Sequence, residues 1–205
     1  MNKSELYIRY PELAVCEESV EKLCDMLLEC YRKGGKLLLC GNGGSAADCE
    51  HIAGELLKGF NYKRPLTPLE KERFGQDGAD IAEKLQRGFA AVPLPSLSGI
   101  GTAYANDVSS ELVFAQEVFS LGRDGDVLLG ITTSGNSKNV VAALKTAKAL
   151  GLSAAALTGE NKGAVDDYAD VAVHVPSTET YKIQEYHLPV YHYLCGRVEE
   201  ILFGE

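Results

Sequence analysis

Residues 132–137 read Thr-Thr-Ser-Gly-Asn-Ser, four hydroxyls in six positions around one glycine. A phosphoryl group needs free backbone NH donors, close approach of the main chain and, often, hydroxyls; this run supplies all three. Ser134 and Ser137 stand three apart, so both hydroxyls are placed to face one anion from a first helical turn. An ordinary N-cap needs fewer. A second run, Gly41-Asn42-Gly43-Gly44-Ser45, fits neither nucleotide fingerprint: G-x-G-x-x-G requires glycine where Ala46 stands, and no G-K-[S/T] ending closes a Walker loop. NAD and ATP are disfavoured, and a tight turn explains this run as well as a ligand does.

His51 and Glu55 are four apart, which sets an imidazole and a carboxylate on one helical face. Gln184 and His192 are eight apart near the C-terminus, again close to one face, with His187 one turn after Gln184. Two nitrogen and two oxygen donors suit Zn²⁺ or a similar divalent ion. The Glu55 carboxylate equally suits a general base beside a carbonyl, with an imidazole as acid partner. Each has a blander reading: His51 as a hydrogen-bonded helix residue, Glu55 as a solvated one, His187 as structural or interfacial. Asn106-Asp107 follows a stretch at 97–104 read as a strand, and either caps the next helix or hydrogen-bonds sugar hydroxyls.

Positioning these groups takes strand, turn and helix in repetition. Residues 36–40 form a short apolar run before the glycine turn, and residues 46–58 read as the helix after it. The unit returns as strand 126–131, the hydroxyl turn and helix 139–150, then as strand 153–158 and strand 171–175. Residues 178–203 read as a long helix interrupted by Pro189, which removes one backbone NH and predicts a kink. Upstream, Val20, Leu23, Cys24, Leu27, Leu28 and Tyr31 make one face of a helix over 17–32, stopped by Gly34-Gly35. Strands alternating with helices predict an α/β fold with a parallel sheet covered on both faces. Residues 66–88, charged and only partly helical in pattern, read as an insertion or lid, or as a surface helix joining two strands.

The 205 residues make a single domain the expectation, 1–205, with an N-terminal helical segment at about 1–33. A net charge of −9 repels nucleic acid, so an anionic substrate has to be bound by local devices. The six cysteines contain no C-x-x-C pair, the start MNKSELYIRYPEL lacks a signal peptide's apolar stretch, and no apolar run approaches a membrane span. Free thiols in a reducing cytoplasm are the expectation.

Taken together, CGNGGSAADCEH at 40–51, AND at 105–107, GDVLLGITTSGNSKNV at 125–140, ALTG at 156–159 and VPSTETYKIQEYH at 175–187 resemble the phosphoheptose isomerase branch of the sugar isomerase (SIS) domain family. The resemblance runs through nearly the whole chain except 66–88, and departs at Lys58-Gly59, where the family usually has arginine, and at Tyr181. It implies a flavodoxin-like three-layer sandwich, assembled as a homotetramer with sites at subunit interfaces. The implied reaction turns sedoheptulose 7-phosphate into D-glycero-D-manno-heptose 7-phosphate through an enediol. By the same resemblance Thr132, Thr133, Ser134 and Ser137 hold the phosphate, while Asn42, Gly43, Gly44, Ser45, Asn106, Asp107 and Gln184 line the sugar site. His51, Glu55, Gln184 and His192 match zinc positions, one ion per subunit, and Glu55 and His192 match the proton-transfer pair. A non-catalytic relative that binds the bacterial replication initiator lacks the carboxylate and second histidine at the positions of Glu55 and His192, so their presence favours catalysis over a regulatory scaffold. An isomerase or sensor of another sugar phosphate is the remaining alternative.

Overall fold

The computed structural model describes residues 3–204; positions 1, 2 and 205, which bound the expected domain, lie outside the described residues. In chain order come α1 (Lys3–Arg9), α2 (Glu17–Arg32), β1 (Leu37–Gly41), α3 (Gly44–Leu57), α4 (Pro68–Glu72), α5 (Ala79–Ala82), β2 (Ala91–Pro93), α6 (Ser98–Tyr104), α7 (Val113–Leu121), β3 (Val127–Thr132), α8 (Lys138–Ala149), β4 (Ser153–Thr158), β5 (Val171–His174) and α9 (Thr180–Phe203). The strands pair in parallel in the order β2-β1-β3-β4-β5. That is the flavodoxin-like order, and it puts a topological switch point between β1 and β3.

Strand alternation builds two cores. Leu37, Leu39, Leu129, Ile131, Ala155, Leu157 and Val173 point to the face covered by α1, α2, α3 and α9. Their neighbours Leu38, Cys40, Leu128, Ala154 and Ala156 point to the face covered by α7 and α8. The predicted helix over 17–32 is α2, and its apolar stripe Val20, Leu23, Cys24, Leu27 and Leu28 is buried in the first core. All six cysteines are buried and free, and burial pushes the Cys16 thiol up to about 11. No helix among the described residues is long and apolar enough to cross a membrane.

One expectation is corrected. Residues 97–104 are not a strand: Leu97, Ile100 and Tyr104 fall three and four apart, and residues 98–104 form α6. The strand at that end of the sheet is the three-residue β2, where Pro93 is tolerated because β2 pairs only with β1. Residues 66–88 hold two short helices, α4 and α5, in an excursion whose ends meet at the Pro65–Gln86 bridge and where Arg87 NH donates to the Arg64 carbonyl at 2.7 Å. Pro189 does not break α9, which is helical from Thr180 through Phe203.

One buried charge has no partner. Glu117 on α7 is 1% exposed, and both its carboxylate oxygens lack hydrogen bonds. Burial pushes its carboxyl from 4.5 up to about 7. The unfolded chain then releases this proton at lower pH than the folded one, so stability falls as pH rises through that window. Glu117→Gln is expected to melt higher than the parent at pH 8, with the gap closing toward pH 5; a gap independent of pH in thermal unfolding would refute this.

Candidate functional site

At the switch point, outside the carboxyl ends of β1 and β3, lies a cavity of about 280 Å³. Its walls are Asn42, Gly43, Gly44, Ser45, Ile131, Thr132, Thr133, Ser137, Thr180 and Gln184, so the two runs singled out by sequence meet here. No lysine or arginine lines it. In place of a cation, three helices begin at its wall: α3 at Gly44, α8 just after its N-cap Ser137, and α9 at Thr180. None of the three has an acidic residue in its first turn; the N-cap of α9 is Glu179, whereas α3 and α8 are capped by Gly43 and Ser137, so the partial positive ends of α3 and α8 stand unopposed.

The hydroxyls are arranged differently from the spacing argument. Thr132 and Ser137, not Ser134 and Ser137, form the facing pair, with their oxygens 2.9 Å apart. Ser134 is exposed at the rim, where its Oγ accepts from the Asn136 NH at 3.2 Å. Gly43 and Gly135 both have positive φ, at 55° and 68°, which is why glycine stands at each. The two loops are joined across the cavity mouth by a reciprocal amide pair: Asn42 Nδ2 donates to Asn139 Oδ1 at 2.9 Å, and Asn139 Nδ2 to Asn42 Oδ1 at 2.8 Å.

From the cavity α3 and α9 run side by side. Gln184 packs its amide against Gly44, so closely that a side chain at position 44 would collide with it. Further along the seam, His51 Nε2 lies 3.4 Å from Glu55 Oε1 and 3.4 Å from His192 Nε2. His51 Nδ1 meets the Tyr191 hydroxyl at 2.9 Å, and the Phe60 ring lies against His192 at 5.8 Å between centroids. Burial, with His51 adding to it, lowers the basicity of His192, and Glu55 opposes that. Asp48, raised by burial and held down by the Tyr191 hydroxyl and His51, stands behind this group.

A tetrahedral ion about 2.0–2.1 Å from each donor spaces its donors about 3.3–3.4 Å apart, and both His51 contacts match that edge. Among the described residues, no three His, Cys, Asp or Glu side chains are already closed around one point. The contacts are two pairs that share His51, and the fourth predicted donor, Gln184, faces Gly44 instead.

What fixes the far end of the seam is a fully buried ion pair. Arg64 Nε donates to Glu199 Oε1 at 2.8 Å, with neither side chain exposed. The same guanidinium donates to the carbonyls of Leu56 at 2.7 Å and Glu55 at 3.2 Å, closing the end of α3. Glu199 accepts the backbone NH groups of Phe60 at 2.7 Å and Asn61 at 2.6 Å. Burial raises the Glu199 carboxyl, but the Asn61 and Phe60 NH groups and Arg64 outweigh it and hold it below the usual range.

Residues 101–191 match the SIS domain, and residues 13–87 match a second description of the same domain. The phosphoheptose isomerase of Burkholderia pseudomallei (strain K96243) is 40% identical over 187 residues, covering 91% of this chain and 84% of that protein. That of Roseiflexus sp. (strain RS-1) is 40% identical over 183 residues, 89% of this chain and 82% of that protein. The chain belongs to the SIS domain family, in its phosphoheptose isomerase branch. Among solved structures, phosphoheptose isomerase GmhA from Neisseria gonorrhoeae superposes with a TM-score of 0.74 at 33% identity, covering 95% of this chain and 94% of that one. A phosphoheptose isomerase from Francisella tularensis gives 0.78 at 28%, covering 97% and 94%.

On this SIS scaffold the expected residues divide into three groups. Asn42, Gly43, Gly44, Ser45, Thr132, Thr133, Ser137 and Gln184 share the cavity. His51, Glu55 and His192 form the second group. Asn106 and Asp107 join neither: they sit exposed on a π-helical turn over Ala105–Ser109, with Asn106 Nδ2 donating to Asp107 Oδ1 at 2.8 Å. Nor do they cap the next turn, since Ser109 does that by accepting from the Glu111 NH. His187 is wholly buried with both ring nitrogens unpartnered, and burial pushes it down to about 4, so it is a neutral structural residue rather than an interfacial one. No residue of 66–88 lines the cavity.

Sequence reasoning missed Asn139, Tyr191, Phe60, Arg64 and Glu199. Adjacency to His192 was the only signal for Tyr191, and nothing in one dimension marks Arg64 and Glu199 as partners. Replacing Glu199 by alanine strands a buried guanidinium and two backbone NH groups. Glu199→Ala is expected to lose about 3–5 kcal/mol in denaturant unfolding, and a loss below about 1 kcal/mol, the scale of an exposed pair, would contradict this account.

Proposed function

We propose that this chain is a sedoheptulose 7-phosphate isomerase, converting the ketose to D-glycero-D-manno-heptose 7-phosphate. The observation that carries it is a distance along one seam. Gly44, at the anion cavity, and His51, at the acid/base group, are seven residues apart on α3, or about 10 Å at 1.5 Å per residue. An extended seven-carbon sugar phosphate spans about 10 Å from phosphorus to C1 at ordinary bond lengths. With its phosphate among the three helix N-termini, the sugar's C1 and C2 reach Glu55 and His192.

There the Glu55 carboxylate takes a proton from C1, beside the C2 carbonyl, and His192 supplies a proton to the carbonyl oxygen, giving the enediol. Delivery of a proton to C2 and removal of one from the C1 hydroxyl then completes the aldose. Tyr191 holds the His51 ring from its Nδ1 side at 2.9 Å and leaves Nε2 turned toward Glu55 and His192. Zn²⁺, the ion we expect, would be held by His51, Glu55 and His192, and when bound would supply positive charge to the oxygen where negative charge develops. The His51 side chain is 42% exposed, which leaves this side open to a neighbouring subunit; the homotetramer we expect rests on the family resemblance. A cytoplasmic location accords with the free thiols.

The test is turnover. Purified, metal-replete protein is expected to convert sedoheptulose 7-phosphate, observed by NMR of the product. Glu55→Gln should lower kcat by about 10²–10⁴ while leaving sugar phosphate binding intact, and Ser137→Ala should weaken binding. If the unaltered protein binds the sugar phosphate and never turns it over, the isomerase reading fails.

A further inference from the structure

The phosphate-binding turn at 132–137 has no cation of its own, so its affinity depends on where its NH and hydroxyl groups point. What sets them is a second loop, residues 159–166, lying over it from the neighbouring strand. The Gly159 NH donates to the Thr133 carbonyl at 3.2 Å and the Val165 NH to the Gly135 carbonyl at 3.0 Å. Asn136 clasps both loops: its Nδ2 donates to the Ser134 carbonyl at 2.8 Å and its Oδ1 accepts from the Ala164 NH at 2.9 Å. Gly135 and Gly163 lie back to back, and a side chain on Gly163 would meet the Gly135 carbonyl oxygen at 2.6 Å.

That overlying loop is itself held by two side chains that no part of the site uses. Asp166 accepts the Gly163 NH at 2.8 Å on Oδ2 and meets His174 Nε2 at 2.8 Å on Oδ1. His174 Nδ1 meets the Gly159 carbonyl at 2.9 Å. The His174 ring therefore bridges two acceptors of the overlying loop, the Asp166 carboxylate on one side and the Gly159 carbonyl on the other. The pair is substantially shielded, with side chains 23% and 19% exposed. Sheet register ties it to the turn, since Thr132 pairs with Thr158 and Thr158 with His174, one row across three strands.

We propose that His174 and Asp166 are positioning residues for the phosphate turn, acting through the loop 159–166 and Asn136 rather than by touching the sugar phosphate. The proposal rests on the reading of residues 132–137 as the phosphate site. Removing the pair frees Gly159 and Gly163, and with them the backing of Thr133 and Gly135. The catalytic group around Glu55 lies on the α3–α9 seam and keeps its own supports.

The experiment compares His174→Leu and Asp166→Asn with the parent in two measurements, calorimetric binding of inorganic phosphate and steady-state turnover of sedoheptulose 7-phosphate. Both variants are expected to bind phosphate about tenfold more weakly and to show a matching rise in KM, the scale of losing one charge-assisted hydrogen bond. Turnover at saturation should stay within about threefold, under 1 kcal/mol in barrier height. Asp166→Asn has the same shape and keeps the fold testable should the leucine variant prove unstable. A folded variant with unchanged phosphate affinity overturns the proposal, as does a fall in kcat with phosphate affinity intact. If the parent binds phosphate and shows no turnover, the isomerase reading fails while the phosphate measurement still judges His174 and Asp166.

Discussion

The site depends on one buried contact, the Arg64–Glu199 pair. A helix that stops inside a protein leaves carbonyls in need of donors, and α3 stops at Leu57 with an extended Lys58 after it. Arg64 answers two of those carbonyls, and Glu199 turns the chain back by taking the Phe60 and Asn61 NH groups. Phe60 is thereby set against His192, and Glu55 is held in the last turn of a helix that cannot fray. Burying two charges costs several kcal/mol per ion, and their mutual attraction does little more than offset it. The contribution of the pair therefore lies in geometry: it makes a single arrangement of α3, α9 and the connecting loop the one that leaves no charge stranded.

At the opposite end of the seam the constraint is reversed, for the cavity contains no charged side chain at all. In a chain of net charge −9, attraction at long range works against an anion, so binding has to come from groups in contact with it. Three helix N-termini and the Thr132, Thr133 and Ser137 hydroxyls are the donors the cavity wall presents. Dipolar donors lose strength quickly with misdirection, whereas a flexible lysine does not. This accounts for the number of devices that only fix loop shape: positive φ at Gly43 and Gly135, the Asn42–Asn139 pair, and the close packing of Gly44 on Gln184.

Much of this was legible because it is periodic or local. The stripe on α2, the apolar strands β1, β3 and β4, and the two strand-turn-helix runs follow from spacing, and His51 with Glu55 follows from one helical turn. Spacing misled for Gln184 and His192. Eight residues at 100° each leave them about 80° apart around the axis and about 12 Å apart along it, so they serve opposite ends of the seam. The three-residue β2 carries too few positions to show an alternation, and α6 was misread because its apolar residues are sparse and its exposure high. Arg64 and Glu199 are 135 positions apart and look like any surface charges until folding buries them. His174 and Asp166 were invisible for the same reason, since a histidine at a strand end acquires meaning only from the carbonyl and carboxylate that fold against it.

The same hub closes the base of the excursion at 66–88. Its two ends are brought together by the Pro65–Gln86 bridge and by the Arg87 NH on the Arg64 carbonyl, so its interior closes a loop whose base is already fixed. Lengthening such a loop costs little, because closure entropy grows only with the logarithm of its length. Gln86 also accepts the Gly59 NH at 2.8 Å, which pins the insertion to the segment leaving α3 and not to the cavity. A side chain at position 59 would meet the Gln86 side chain at 2.7 Å as well as the backbone of Tyr62. Glycine at position 59 is thus what lets Gln86 dock at the end of α3, beside the Arg64 that closes it.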